Sequence, residues 1–308
     1  MIKGTTQLLG VIGYPVEHSF SPVMHNAAIA HLNDQLNSQP SDQQRQPVDF
    51  VYLPFPIHPD LLAVAIAGFT AIGLRGFNIT IPHKQSIIPL LDEVSDVARA
   101  IGAVNTVWRS EDAQGIYQWR GTNTDAVGFL APLQALERDW SEAPAVVLGN
   151  GGAARAVVAA CVQLGCPEVV VVGRSPDKLE AFARSWNEAP NIAKKLSVLP
   201  WDRLAAVLPK ARLVVNATPV GMHPQVNLSP LGDEEVGLLG AGSLAYDLIY
   251  TPRPTHFLQQ ASAAGLTAID GLEMLVQQGA AALEIWLGQP APAGVMRQAL
   301  LDHLGQKQ

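Results

Sequence analysis

The sequence predicts an α/β fold in two domains, at least one of them a doubly wound parallel sheet, and three observations carry that reading. The chain has 308 residues, whereas a single hydrophobic core usually stops growing at about 250–300 residues. Short apolar runs alternate with longer helical patterns along most of its length, as they do when helical crossovers lay strands parallel. One apolar run, Ala145-Val-Val-Leu148, breaks directly into the glycine-rich turn Gly149-Asn150-Gly151-Gly152 and then into an apolar helix, which is how the first β-turn-α unit of such a sheet is written.

In chain order, Gln7 to Ile12 reads as a strand ended by Gly13-Tyr14-Pro15, and the spacing of Met24, His25, Ala28 and Leu32 after Pro22 reads as a helix. Residues Asn33 to Pro47 are almost wholly polar and read as an exposed loop with no chemistry assigned to it. Phe50–Phe55 reads as a strand, Leu61–Phe69 as a helix, Gly76–Ile81 as a strand and Ile87–Ile101 as a helical stretch, so the first half is expected to hold a mainly parallel sheet. A second alternation starts near Asp125, with a helix over Val127–Leu136 and strands at Ala145–Leu148, Val169–Val172, Leu213–Asn216 and Leu244–Asp247. The tail from Gly271 to His303 is helical by the spacing of Leu272, Leu275, Val276, Leu283 and Trp286, and is expected to pack back on the first domain.

Bulk composition narrows the function classes. A content of 48% hydrophobic and 15% charged residues is ample for a packed core and unlike that of disordered chains. The net charge of -7, with basic residues scattered rather than gathered in a stripe, speaks against a nucleic-acid partner. Cys161 and Cys166 lie in an Ala/Val-rich segment without histidines at ligand spacing, which predicts buried thiols, no metal and a reducing, cytoplasmic setting. No secretory signal is expected at the N-terminus, and no apolar window reaches the 18 or so residues that cross a bilayer, so a soluble protein with no membrane partner is expected.

The glycine-rich turn carries the first specific chemistry. Gly149, Gly151 and Ala154 fill the positions of a G-x-G-x-x-G/A fingerprint. The first allows a tight turn, the second lets backbone approach a pyrophosphate, and the third lets the helix pack on its strand. The phosphates then rest on the helix N-terminus, so dinucleotide binding is expected. Proteins that prefer NAD place a carboxylate about 20 residues further on to hold the ribose hydroxyls; here the next strand ends in Gly173-Arg174-Ser175. Taken alone Arg174 reads as a solvated surface arginine, but behind this fingerprint Arg174, Ser175 and Lys178 form a clamp for a 2′-phosphate. NADP is the predicted cofactor.

Polar clusters sit at the strand ends of the first half, where α/β proteins place ligands. The stretches Gly13-Tyr-Pro-Val-Glu-His-Ser19-Phe-Ser21-Pro22, Asn78-Ile-Thr80-Ile-Pro82-His-Lys84, Gly102-Ala-Val-Asn105-Thr106 and Asn123-Thr-Asp125 resemble the shikimate dehydrogenase family, in family order. So do Asn216-Ala-Thr-Pro-Val-Gly-Met222, Tyr246-Asp-Leu-Ile-Tyr250 and Met274-Leu-Val-Gln-Gln278. The likeness runs from about Leu9 to Trp286. It implies a Rossmann-type NADP domain over residues 125–270 and a substrate domain over 1–124 and 271–308.

The resemblance implies that Ser19 and Ser21 hold the substrate carboxylate, although Ser21-Pro22 alone reads as a helix cap. It places Asn78, Thr80, Asn105, Tyr250 and Gln278 on the substrate, where amides and hydroxyls both donate and accept. Lys84 and Asp125 match the catalytic pair, leaving open which of them carries the transferred proton. At the cofactor it sets Gly149, Asn150, Gly151, Gly152, Ala153, Arg174, Ser175, Lys178, Thr218, Met222 and Gly271. Two positions depart from the commonest family pattern: Gly173 stands where asparagine is frequent, removing an adenosine contact, and Asn150 where alanine is usual. The implied activity is interconversion of 3-dehydroshikimate and shikimate with NADP, in a monomer or homodimer. A quinate dehydrogenase is the near alternative, opposed by Arg174, Ser19 and Ser21. A catalytically silent NADPH-binding regulator is the alternative of another class, opposed by Lys84 and Asp125.

Overall fold

The computed structural model describes residues 2–37, 48–112 and 114–305. The chain divides into two compact units, one of residues 1–99, 103–124 and 276–308 and the other of residues 100–102 and 125–275.

The first unit begins with β1 (Gln7–Gly13), α1 (Ser21–Asn37), β2 (Phe50–Pro56), α2 (Leu62–Ala71) and β3 (Gly76–Ile79), followed by β4 (Glu93–Val94), α3 (Asp96–Ile101), β5 (Thr106–Glu111) and β6 (Tyr117–Thr122). Its six-stranded sheet has the order β2-β1-β3-β5-β6-β4. β1 lies parallel to β2 and β3, and its run from Leu9 to Gly13 is buried, as suits a strand covered on both faces. β2 carries Pro54 and Pro56 and takes the edge, where a missing N–H costs least. Ile12, Leu62, Ile66, Phe69, Phe77 and Val107 meet in the core between the sheet and α2.

Three local expectations are corrected. The stretch Ile87–Ile101 is not one helix: a 3-10 turn at Ile88–Leu90 gives way to β4 and then α3. Pro89 supplies no N–H for a continuing helix, and Asp92 clamps the chain to β6 by donating its N–H to Trp119 O at 3.0 Å and accepting Trp119 N on Oδ2 at 2.7 Å. The polar stretch from Asn33 is helical as far as Asn37, because Asn33 holds both backbone groups of Val48 at 2.9 and 3.0 Å; residues 38–47 lie outside the described residues. The hairpin β5-β6 was not anticipated. It is antiparallel, as is its pairing with β3, so the start of β5 and the end of β6 reach the same sheet edge as the end of β3.

The second unit holds α4 (Asp125–Gln134), β7 (Ala145–Leu148), α5 (Gly152–Leu164), β8 (Val169–Gly173), α6 (Pro176–Arg184), α7 (Pro190–Ala193), β9 (Leu196–Pro200), β10 (Leu213–Asn216), α8 (Asp233–Gly237), β11 (Leu244–Asp247), α9 (His256–Ala263) and β12 (Thr267–Ile269). All six strands are parallel, in the order β12-β11-β10-β7-β8-β9. Numbered within the unit and read from β9, that is 3-2-1-4-5-6, the doubly wound dinucleotide-binding order, and its switch point falls between β7 and β10. β7, β8, β10 and β11 are buried throughout. The sequence reading missed β9, a half-exposed edge strand, and β12, three residues long. Cys161 and Cys166 are both free and wholly buried.

The C-terminal tail forms two helices, α10 (Leu272–Leu287) and α11 (Ala293–Gly305). They part at Gly288, which adopts a left-handed φ of 65° before Pro290. The division between units falls inside α10, after Leu275. Within the first unit Trp286 Nε1 donates to Val107 O at 2.9 Å, and its indole fills the space over Gly76, where a Cβ would lie 2.2 Å from Nε1. No helix among the described residues is long and apolar enough to cross a membrane.

Candidate active site

One edge of the first sheet collects polar side chains because the strand directions send their ends there. β1 ends at Gly13, and the chain then passes Ser19 and Ser21 to open α1. The Ser21 amide donates to Ser19 Oγ at 3.4 Å, and the Ser21 carbonyl lies 2.8 Å from His25 Nδ1. A Cβ on Gly13 would lie 2.5 Å from Thr80 Cγ2, so glycine there lets Thr80 sit against the end of β1. Past Thr80 the chain makes a turn held by His83 N to Thr80 O at 3.0 Å and by His83 Nε2 to Ile57 O at 2.7 Å. Lys84 lies on this turn, half-buried, and its carbonyl accepts Val104 N at 2.8 Å.

Behind these residues lies a buried amide and hydroxyl network. Asn78 donates through Nδ2 to Asn105 O and Thr106 Oγ1, both at 3.2 Å, and accepts Tyr52 OH on Oδ1 at 2.7 Å. Both Nδ2 protons are therefore committed, which leaves Oδ1 as the atom of Asn78 with hydrogen-bonding capacity to spare. Asn105 Nδ2 donates to Thr124 Oγ1 at 3.0 Å and to Gln278 Oε1 at 3.4 Å, while its Oδ1 accepts Thr124 N at 2.7 Å. Gln278 is thereby brought from α10 to the sheet edge. His25 stacks on Tyr52 at 4.1 Å, and burial pushes its pKa down to about 4; the neutral ring donates from Nδ1 to Ser21 O, the nearer of two carbonyls at 2.8 Å. The sequence reading assigned a site role to Ser21, Asn78, Asn105 and Gln278 but none to Tyr52, His25, Thr106 or Thr124, which tie them together. Asp125 follows Thr124 directly and opens α4 in the second unit, buried.

The second sheet builds its site at the carboxyl ends of β7, β8, β10 and β11. Gly149 takes a φ of 98°, and a Cβ there would lie 2.9 Å from Thr218 Cγ2. Thus Thr218 packs directly on the fingerprint turn at the switch point. Gly151 and Gly152 have open space where a side chain would be, and no side chain caps α5 at Gly151. An open glycine cradle at an uncapped helix start fits a pyrophosphate, and NADP fits this chain's residues on that ground. Ala154 is wholly buried, and Ala153 stands beside it in the first turn of α5. Arg174 and Lys178 are exposed and Ser175 half-buried at the start of α6.

The two departures from the family pattern meet in space. Asn150 Oδ1 lies 3.2 Å from where a Cβ on Gly173 would sit, and Leu179 Cδ2 lies at 2.9 Å. A side chain at residue 173 would have to displace Leu179 and Asn150, and an amide stands over it from the neighbouring turn instead. Gly271 is also sterically required, because a Cβ would lie 2.1 Å from Leu248 O. Its N–H is committed to Ile249 O at 3.1 Å. Met222 is exposed and Tyr250 half-buried, with burial raising the Tyr250 phenol.

Beneath these loops lies a wholly buried carboxylate. Asp247 accepts Asn216 Nδ2 and Ile249 N on Oδ1, each at 3.0 Å, and Thr255 Oγ1 on Oδ2 at 2.7 Å. Burial outweighs these donors and pushes its pKa up to about 6, against an ordinary 3.8. The native state therefore holds the proton more tightly than the unfolded chain, and the stability this contributes is full below about pH 4 and lost as the pH rises through about 6. Asp247→Asn keeps the shape without the ionisation. It is expected to gain on the parent by about 3 kcal/mol between pH 4 and 8; thermal melts across that range check this, and a constant difference contradicts it.

Three family models match the chain: the shikimate dehydrogenase substrate binding domain at residues 11–107, shikimate / quinate 5-dehydrogenase at 133–227, and the shikimate 5′-dehydrogenase C-terminal domain at 271–301. A shikimate dehydrogenase (NADP(+)) of Trichormus variabilis is 60% identical over 307 residues, covering 99% of each chain. The crystal structure of shikimate dehydrogenase from Aquifex aeolicus is 36% identical, with a TM-score of 0.81, covering 97% of this chain and 99% of that one. The shikimate 5-dehydrogenase of Thermus thermophilus, solved in complex with NADP(H) and shikimate, is 35% identical with a TM-score of 0.78, covering 96% of this chain and 98% of that one. On its sequence over full length and on its fold, the chain belongs to the shikimate dehydrogenase family.

Proposed function

We propose that the chain interconverts 3-dehydroshikimate and shikimate as an NADP-dependent oxidoreductase, with residues 125–270 holding the cofactor and residues 1–124 and 271–308 the substrate. The observation that carries this reading is the gathering of Ser21, Asn78, Asn105 and Gln278 at one sheet edge, in a chain 60% identical over its length to a shikimate dehydrogenase (NADP(+)). Such a set of hydroxyls and amides suits a small polyhydroxylated carboxylate and offers no grip to an apolar ligand.

When bound, NADP supplies or accepts the hydride at its nicotinamide C4. The chain's residues do the rest. Ser19 and Ser21 hold the substrate carboxylate, while Asn78, Thr80, Asn105, Tyr250 and Gln278 fix the ring hydroxyls so that the C3 carbinol faces the hydride path. As the carbinol becomes a ketone its hydroxyl proton passes to the Lys84–Asp125 pair, and in the biosynthetic direction the pair returns it. Gly149 to Ala153 cradle the pyrophosphate, with Thr218, Met222 and Gly271 beside the same cofactor. Arg174, Ser175 and Lys178 take the 2′-phosphate by charge-assisted hydrogen bonds. Two free buried thiols support a reducing, cytoplasmic setting, and the enzyme works as a monomer or homodimer without nucleic-acid or membrane partners. Purified protein given 3-dehydroshikimate and NADPH is expected to consume the two in equal amounts and yield shikimate, identified by chromatography. NADPH loss without shikimate contradicts the reading.

A further inference from the structure

We propose that Asp247 is a positioning residue of the reaction, whose carboxylate locks the loop after β10 to the loop after β11 and so fixes Thr218 and Met222 against Tyr250. The inference rests on the functional reading above, in which the first loop serves the cofactor and the second the substrate.

The geometry is closed on every side. Asn216, the last residue of β10, donates to Asp247 Oδ1 at 3.0 Å and to Val220 O at 3.1 Å, and accepts on its Oδ1 both Thr218 N at 3.0 Å and Thr218 Oγ1 at 2.7 Å. That one amide therefore shapes the turn from Thr218 to Val220. Across the sheet Asp247 Oδ1 also takes Ile249 N at 3.0 Å, while Oδ2 takes Thr255 Oγ1 at 2.7 Å. These bonds close the loop of residues 248–255, in which Tyr250 stands. Leu248 N to Asn216 O at 3.1 Å completes the join. The two motif segments noted in the sequence, Asn216 to Met222 and Tyr246 to Tyr250, are thus one unit held by one carboxylate.

An apolar pair could hold two adjacent strand ends together at less cost than a buried ionisable group. What it could not do is accept three directed donors at once and so set the separation of two loops. Placement errors of about 1 Å at a reacting centre cost on the order of 100-fold in rate, so the effect of loosening these loops belongs in kcat.

The test compares the full-length protein with Asp247→Ala, Asp247→Asn and Thr255→Val, each measured for kcat, KM for shikimate, KM for NADP and thermal melting. Asp247→Ala is expected to lose about 100-fold in kcat per folded molecule with both KM values little changed. Asp247→Asn keeps an acceptor for Asn216 and Ile249 and an amide for the Thr255 hydroxyl, and is expected to recover at least tenfold of that loss. Thr255→Val, which cuts one tie to the carboxylate and with it the cap that Thr255 Oγ1 gives Leu258 N at 3.4 Å, is expected to fall in the same direction by a smaller factor. A merely structural role lowers the melting temperature and leaves kcat of the folded enzyme intact, so a folded Asp247→Ala within twofold of the parent overturns the proposal. An asparagine variant as slow as the alanine one also overturns it, since charge rather than positioning then matters. A parent protein with no turnover sinks the functional reading itself and this inference with it, whereas an active parent with an unaffected alanine variant sinks the inference alone.

Discussion

Replacing Lys84 by alanine is expected to lower kcat about 1000-fold while NADPH binds as before, because proton transfer by a placed side chain is worth roughly 10²–10⁴ in rate. What holds the turn is the Lys84 carbonyl, which accepts Val104 N at 2.8 Å, together with the His83 ring on Ile57 O at 2.7 Å; alanine keeps the first and does not touch the second. Loss of rate with NADPH binding and the melting temperature unchanged reports on the ammonium-amine group and not on collapse of the site. Steady-state rates with shikimate, beside NADPH binding followed by fluorescence, check this, and a variant with near-parental kcat removes Lys84 from the chemistry.

The second large effect is expected at the adenosine end. Arg174→Asp takes away a charge-assisted partner of the 2′-phosphate, each such bond being worth about 1.5–3 kcal/mol, and sets a like charge in its place. The ratio of kcat/KM for NADP to that for NAD is expected to fall on the order of 1000-fold. Arg174 is exposed at the end of β8, so the melting temperature is expected to stay within a degree or two of the parent. An unchanged cofactor ratio means that the phosphate is held elsewhere. Asn150, whose amide stands over Gly173 on the adjoining turn, is then the first residue to examine.

The parts of the fold that could be read from the sequence are those where burial leaves a plain signal. β7, β8, β10 and β11 are covered on both faces, so each is an apolar run, polar only where β10 and β11 end in Asn216 and Asp247, and Gly149 had to be glycine to turn at φ 98°. The hairpin β5-β6 mixes Trp108, Arg109, Gln118 and Arg120 with its apolar residues, and neither alternation nor a continuous run marks it. In Ile87–Ile101 the apolar spacing of a helix was real, but Pro89 and the Asp92–Trp119 clamp decide the conformation.

The candidate site was legible to a similar depth. Asn78 and Asn105 could be named because they stand in stretches that resemble the shikimate dehydrogenase family; their place at strand ends, where α/β proteins bind ligands, agrees with that but would not have picked them out. Tyr52, Thr106 and Thr124 received no role, although the last two stand in the same stretches, because what they do is bond to residues many positions away in the chain, Tyr52 to Asn78 at 2.7 Å and Thr124 to Asn105 at 2.7 Å. Asp247 stood in a recognised motif, yet only the structure shows its three donors. Likewise Gly173 and Asn150 are two unrelated departures in sequence and one packed contact in space.

The most direct test of the central claim is the initial rate of reduced-cofactor formation by purified protein in four parallel assays, pairing shikimate or quinate with NADP or NAD. Fast turnover confined to shikimate with NADP is the result expected from the polar sheet edge and the Arg174 end of β8 together. Preferred turnover of quinate with NAD, or no turnover in any of the four, contradicts it.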